Sequence, residues 1–273
     1  MARPQTENLN SADVAPVPWH PNGLPTGIAI RTLNEDPDTG AVSGILEIPA
    51  GWEWATSGYC AADQEFFLLE GELQMGEHRL QSGGFCFYPN GVLQPQWRAQ
   101  TACELFAIFD GRPEYVTASK STSGADINAT VPFVDSWAMN WFDPTSASDP
   151  SVAFRPGIFV KVLRHDPATG TSTHLAGLMP GWFAEGIEVH PVREESLIIS
   201  GDVNIATVGG EPGYTCTVGG YYSRPAGVPH GPLASKNGNV GIVHTDGLLG
   251  IDYQTDDSAM DRIMTHLKTF PWR

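Results

Sequence analysis

Leu33-Asn34-Glu35-Asp36-Pro37-Asp38-Thr39-Gly40 returns 130 positions later as Leu163-Arg164-His165-Asp166-Pro167-Ala168-Thr169-Gly170. Outward from this pair, the same offset matches Gly51-Trp52 with Gly181-Trp182 and Glu65 with Glu195. It also matches Glu70-Gly71-Glu72 with Ser200-Gly201-Asp202. Further on the offset becomes 136, pairing Pro89 with Pro225 and Asp110-Gly111 with Asp246-Gly247. A constant offset broken by one insertion reads as an internal duplication.

Each copy divides into short apolar runs bounded by Gly, Pro or Asp-Gly, the pattern of strands joined by turns. In the first copy these are 44–48, 65–75, 84–88 and 105–109; in the second, 175–179, 196–208, 221–223 and 241–244. Thirty glycines and 22 prolines in 273 residues fit many short strands better than helices. The expected fold class is all-β: two tandem jelly-roll barrels, followed by a short C-terminal helix. That helix is expected because Ile263, Met264 and Leu267 recur at helical spacing behind Asp256, Asp257 and Ser258. The expected organisation is an N-terminal arm (1–26), a first barrel (27–115), a connecting arm (116–156), a second barrel (157–256) and the helix with its tail (257–273).

A net charge of −16 with only 15 Lys and Arg argues against nucleic acid or an anionic membrane surface as partner. No stretch approaches the length of a membrane span, and the first residues lack the apolar core of a secretion signal, so a cytoplasmic protein is expected. Cys60, Cys86, Cys103 and Cys216 show no C-x-x-C spacing, and free thiols are the expected state.

The chemistry gathers in the second copy. Glu188-Val189-His190 places two side chains on one face of a strand, since residues two apart point the same way. Glu194 follows a short turn, and His230 arrives from a separate hairpin after Pro225-Ala226-Gly227. Imidazole and carboxylate converging from two hairpins suit a divalent ion, and the mixture does not choose between iron(II), manganese, nickel and zinc. Glu188 is either a fourth ligand or an unligated general base beside the ion.

This spacing resembles the cupin superfamily. Gly219, Pro225, Gly227 and His230 match every fixed position of the second cupin motif, while His190, Glu194 and Gly201 match the first, with Glu188 where a leading His would stand. The Leu-x-x-Asp-Pro-x-Thr-Gly repeat and the run from His190 to Glu195 are most similar to the ChrR anti-sigma factor cupin domain and related bicupins, over roughly 27–115 and 157–253. The resemblance implies one divalent ion per chain held by Glu188, His190, Glu194 and His230, iron(II) being the first choice. It also implies that the first copy is a degenerate cupin, with Gly58, Cys60, Gln64 and Gln94 at the ligand positions. A thiol and two amides make a poor site for a hard or borderline ion. A soft-metal site at Cys60 is the competing idea.

Tyr222 and His244 lie on strands of the second barrel and are candidates for its substrate pocket. Trp52 and Trp182 are expected to pack in core or rim. His20, His78, His165, His174 and His266 are assigned to surface or packing, and Arg193 and Arg224 to ordinary salt bridges. Three functions stay open. The first is a non-haem iron dioxygenase cleaving a carbon–carbon bond of a diketone or phenol. The second is a redox-neutral hydrolase, lyase or isomerase, since ureide-pathway bicupin aminohydrolases share the Glu-x-His opening. The third is a non-enzymatic binding or sensing bicupin, made less favoured by the lack of a helical anti-sigma segment ahead of the barrels. The partner in every case is a small molecule, and apolar outer strands leave room for a homodimer.

Overall fold

The computed structural model describes residues 3–146, 154–206 and 213–254. The all-β expectation holds: strands carry nearly all regular structure, with only three short 3-10 turns among the described residues. The expected C-terminal helix lies outside them. No described helix is long and apolar enough to cross a membrane. The chain forms two compact units, one made of Met1–Pro4 and Ser11–Met139, the other of Gln5–Asn10 and Asn140–Arg273.

The first unit is built on a seven-stranded antiparallel sheet. Its order runs Val131–Asp135, Gly84–Tyr88, Gln64–Glu70, Cys103–Phe109, Val42–Ile48, Ile28–Glu35, Val17–Trp19. A smaller sheet of Glu53–Trp54, Trp97–Ala99, Glu72–Met75 and His78–Gln81 accompanies it. In Cys103–Phe109 nearly every position is buried, so the strand is apolar on both faces rather than alternating.

The core of this unit is aromatic. Trp97 meets Trp54, Phe66 and Tyr115 with ring centroids 5.5, 5.3 and 5.7 Å apart, all close to edge-on. Gln64 and Gln94 close the end of this core, Gln64 Nε2 donating to Gln94 Oε1 at 2.7 Å while Tyr115 Oη donates to Gln64 Oε1 at 2.8 Å. Gly58 has no room for a side chain, because a Cβ there would stand 2.3 Å from the Val116 carbonyl oxygen and 2.7 Å from the Trp54 ring. Glutamate could not replace it without moving Trp54. All four cysteines are free and buried, and burial pushes the Cys60 thiol up to about 11, which disfavours the thiolate a soft metal would need.

The second unit repeats the plan in a nine-stranded sheet. Its main path runs Thr6–Asn10, Gly220–Arg224, Glu194–Ile205, Asn239–Thr245, Ser172–Leu178, Ile158–His165. Ile187–Val189 pairs separately with Asp252–Gln254. The arms differ from expectation, since both supply strands: Thr6–Asn10 pairs with Gly220–Arg224, and Val131–Asp135 pairs with Gly84–Tyr88. Each covers a strand edge that would otherwise expose unpaired backbone groups.

Interior volume separates the units. At the positions matched by the offsets, Trp54, Phe66, Trp97, Leu105 and Tyr115 correspond to Ala184, Ser196, Leu233, Gly241 and Ile251. Every exchange removes bulk, and the second unit has a cavity of about 90 Å³ where the first is filled. Trp97→Ala should cost about 3–5 kcal/mol of stability in urea unfolding, the cavity term for a buried aromatic, and leave metal content unchanged.

Candidate metal centre in the second barrel

A two-residue bridge brings the two motif segments together. Glu188 N–H donates to the His230 carbonyl at 2.8 Å, and His230 N–H returns to the Glu188 carbonyl at 3.0 Å. Gly227, at φ +80°, gives its N–H to the His190 carbonyl at 2.8 Å, tying the Pro-x-Gly turn to the first segment. Backbone pairing therefore sets the backbone positions of Glu188, His190 and His230 relative to one another.

The side chains converge. Nε2 of His190 lies 4.0 Å from Glu188 Oε2 and 3.7 Å from Glu194 Oε2. Nε2 of His230 lies 3.9 Å from Glu188 Oε2 and 4.0 Å from Glu194 Oε2. The imidazole centroids are 5.0 Å apart. Glu188, His190 and His230 are 6%, 5% and 4% exposed, and their ligand atoms all fall within 4.8 Å of one another. Ligand atoms about 2.1 Å from a shared ion at tetrahedral or right angles lie roughly 3.0–3.4 Å apart, so the imidazole–carboxylate pairs have to close by roughly 0.3–1.0 Å to share one ion.

The surroundings prepare these atoms. His190 Nδ1 lies 2.8 Å from the Gly250 carbonyl and His230 Nδ1 lies 3.3 Å from that of Val228, so each ring keeps its proton on Nδ1 and turns the Nε2 lone pair inward. Glu194 Oε2 is buried with no hydrogen bond, an orphan that a cation would satisfy. Burial pushes the Glu188 carboxyl up to about 7 and the His230 imidazole well below its ordinary value, because charged groups lose hydration there. The donor set fits a divalent ion: two imidazoles and two carboxylates drawn together, with Glu194 Oε2 lacking any hydrogen bond.

The cavity beside this cluster is lined by Glu188, His190 and Glu194 and closed by apolar side chains including Leu178, Ile198 and Leu233. Tyr222 lines it, with its ring 4.0 Å from the Arg224 guanidinium carbon. His244 does not. The ladder pairs Thr173 with His244 and His174 with Val243, so His244 faces away from the cavity and its Nδ1 sits 2.9 Å from Thr173 Oγ1. The neighbouring residue takes the inward place: His174, assigned from sequence to surface or packing, is buried and lines the cavity, as does Trp182. Burial lowers the His174 imidazole to about 4, so it is neutral at physiological pH. Gly58, Cys60, Gln64 and Gln94 of the first unit form no comparable group of metal donors among the described residues.

A protein-family model covers residues 17–252, most of the chain. The chain belongs to DUF4437, a domain of unknown function. No curated protein matches it. The DUF4437 chain is similar to the crystal structure of a "putative dioxygenase" from Nostoc punctiforme PCC 73102, with TM-score 0.80 and 22% identity over 93% of this chain and 87% of that one. It is also similar to oxalate decarboxylase from Bacillus subtilis, with TM-score 0.56 and 11% identity over 98% and 84% of the chains. A formate complex of Lactobacillus farciminis oxalate decarboxylase gives TM-score 0.59 and 10% identity over 97% and 96%. At these identities the likeness establishes the cupin fold and leaves the reaction to the site.

Glu188 generates a pH test of the metal-free protein. Its folded value lies above the unfolded one, so its contribution is fully present below about pH 4 and lost as pH rises through about 7. Glu188→Gln, which cannot ionise, should therefore stabilise metal-free protein at pH 8 by on the order of 1–2 kcal/mol and have little effect at pH 5. Urea titrations at the two pH values read the difference, and equal effects at both would remove the argument.

Proposed function

We propose that this DUF4437 chain is a metal-dependent enzyme acting on a small organic molecule in its second barrel. The best single reading is a dioxygenase that cleaves a carbon–carbon bond of a diketone or phenol. The observation that carries the reading is the convergence of two imidazole nitrogens and two carboxylate oxygens, no more than 4.0 Å apart across the pairs, at the wall of a mainly apolar cavity. The likeness to a protein described as a dioxygenase supports the oxygen-dependent version by analogy of fold alone. On this reading the chain is a duplicated bicupin in which only the second copy kept its site.

A bound divalent ion, iron(II) first and manganese, zinc or nickel otherwise, would supply Lewis acidity and, for iron, one-electron chemistry toward dioxygen. The protein's part is holding and shielding. Glu194 presents its donor from a strand, and His190 and His230 from adjoining segments tied to the sheet by backbone hydrogen bonds, which holds the donors together before the site is loaded. Leu178, Ile198 and Leu233 take the hydrocarbon body of the substrate and keep water from it. Tyr222 and neutral His174 offer polar contacts to a substrate oxygen.

Glu188 supports a second reading. A carboxyl that holds its proton near neutrality is suited to giving and taking one, as a redox-neutral hydrolase, lyase or isomerase requires. The two readings part on metal and oxygen. Protein purified without added metal should carry about one ion per chain, and His190→Ala or His230→Ala should reduce that to a trace while Gln94→Ala retains it. Iron, with oxygen uptake on candidate diketones or phenols, selects the dioxygenase. Zinc or manganese with oxygen-independent turnover selects the second reading, and tight ligand binding without turnover leaves a sensing bicupin. Metal content unchanged in both histidine variants would sink every version.

A further inference from the structure

Arg224 is a buried cation with two carboxylates in reach. Its side chain is 2% exposed, on the strand Gly220–Arg224, and it stands directly opposite Glu194 in the ladder. Glu7, on the strand Thr6–Asn10, takes it in a forked pair, with Arg224 Nε donating to Oε1 at 2.8 Å and Nη2 to Oε2 at 3.0 Å. Nη2 also donates to Tyr214 Oη at 3.0 Å, and that hydroxyl in turn donates to Glu7 Oε2. Nη1 is the arm left over, and it stops 3.6 Å short of Glu194 Oε2. That oxygen has no hydrogen bond of its own.

A guanidinium beside a would-be ligand is a rival for it, since both the arginine and a metal ion seek the same lone pairs. What decides the contest here is Glu7, which engages two of the three guanidinium nitrogens and offsets the charge. We propose that Glu7, from the N-terminal strand, is a positioning residue for the metal centre, which by engaging Arg224 keeps Glu194 Oε2 free to bind a cation. The inference rests on the metal-centre reading above and adds to it that the site is completed by a residue 217 positions away from Arg224 in sequence. Loss of the Glu7 charge swings the guanidinium onto Glu194, and metal affinity falls although every ligand is present.

The test is a competition for zinc between the full-length protein and a chromophoric chelator. Glu7→Gln should weaken zinc binding on the order of tenfold, and the double variant Glu7→Gln with Arg224→Gln should recover to within about threefold of the wild type. Asn10→Ala, which disturbs the same strand through its bond to the Val218 carbonyl at 3.4 Å, should lower the melting temperature and leave zinc affinity alone. If Glu7→Gln does not fold, Arg224→Gln by itself carries the test, because zinc affinity should then hold or rise. Unchanged affinity in Glu7→Gln, failure of the double variant to recover, or loss of zinc in Arg224→Gln overturns the proposal while the metal centre stands. A wild type that binds no zinc or iron overturns both.

Discussion

The reciprocal backbone pair between Glu188 and His230 is the constraint on which the site depends. Two hydrogen bonds across an antiparallel bridge set the separation of two strands, and with it the side chains that leave them on the same side. His190 follows two residues after Glu188, just past the strand Ile187–Val189, and Glu194 starts the next strand, so a short turn links three of the four side chains. A rigid origin of this kind suits a group of donors that are individually costly to bury. Burial raises the Glu188 carboxyl and depresses His230, and both shifts reflect a cluster that resists holding charge without an ion to face it.

Comparison of the two units shows what a binding cavity requires of a barrel. The first keeps the turn glycines and strand order but fills its interior with Trp54, Phe66, Trp97 and Tyr115, and the Trp54 ring occupies the space over Gly58. Fewer metal-donor side chains and more bulk go together in this unit, and a filled interior avoids the packing energy that a void would cost. In the second unit smaller side chains at the matched positions leave the cavity open next to the carboxylates and imidazoles. The strand Thr6–Asn10 lies on the edge of its sheet.

Much of this was legible in the chain. The abundance of Gly, Pro and short apolar runs disclosed an all-β fold, and motif spacing drew attention to Glu188, His190, Glu194 and His230, whose side chains do lie near one another. Alternation failed where it had least to work with. Asn239–Thr245 is buried at almost every position and Ser172–Leu178 shows no clean polar face, so neither discloses which of two neighbouring histidines looks inward. Cross-strand register settles it, placing His174 inside and His244 outside. The segment 116–156 reads as a connecting arm from its Ser119-Lys120-Ser121-Thr122-Ser123-Gly124 and Asp143-Pro144-Thr145-Ser146 runs, and composition carries no record of which sheet edge a short segment will join.

The pairing of Glu7 with Arg224 shows the limit of local reading most clearly. Nothing within ten residues of Arg224 reveals its partner, and a lone arginine beside a motif reads as a surface ion pair. Burial changes what the pair means. An exposed Arg–Glu bridge contributes little, but a guanidinium that is 2% exposed and lies between a partner and a prospective ligand has to be held by one of them. The forked geometry toward Glu7 and the longer approach to Glu194 decide which, and a carboxylate left without a hydrogen bond in a buried site is the consequence. The N-terminal strand thus joins two functions, closing a sheet edge and keeping one oxygen available, which explains why an edge-covering segment would carry a glutamate on its inner face rather than an apolar residue.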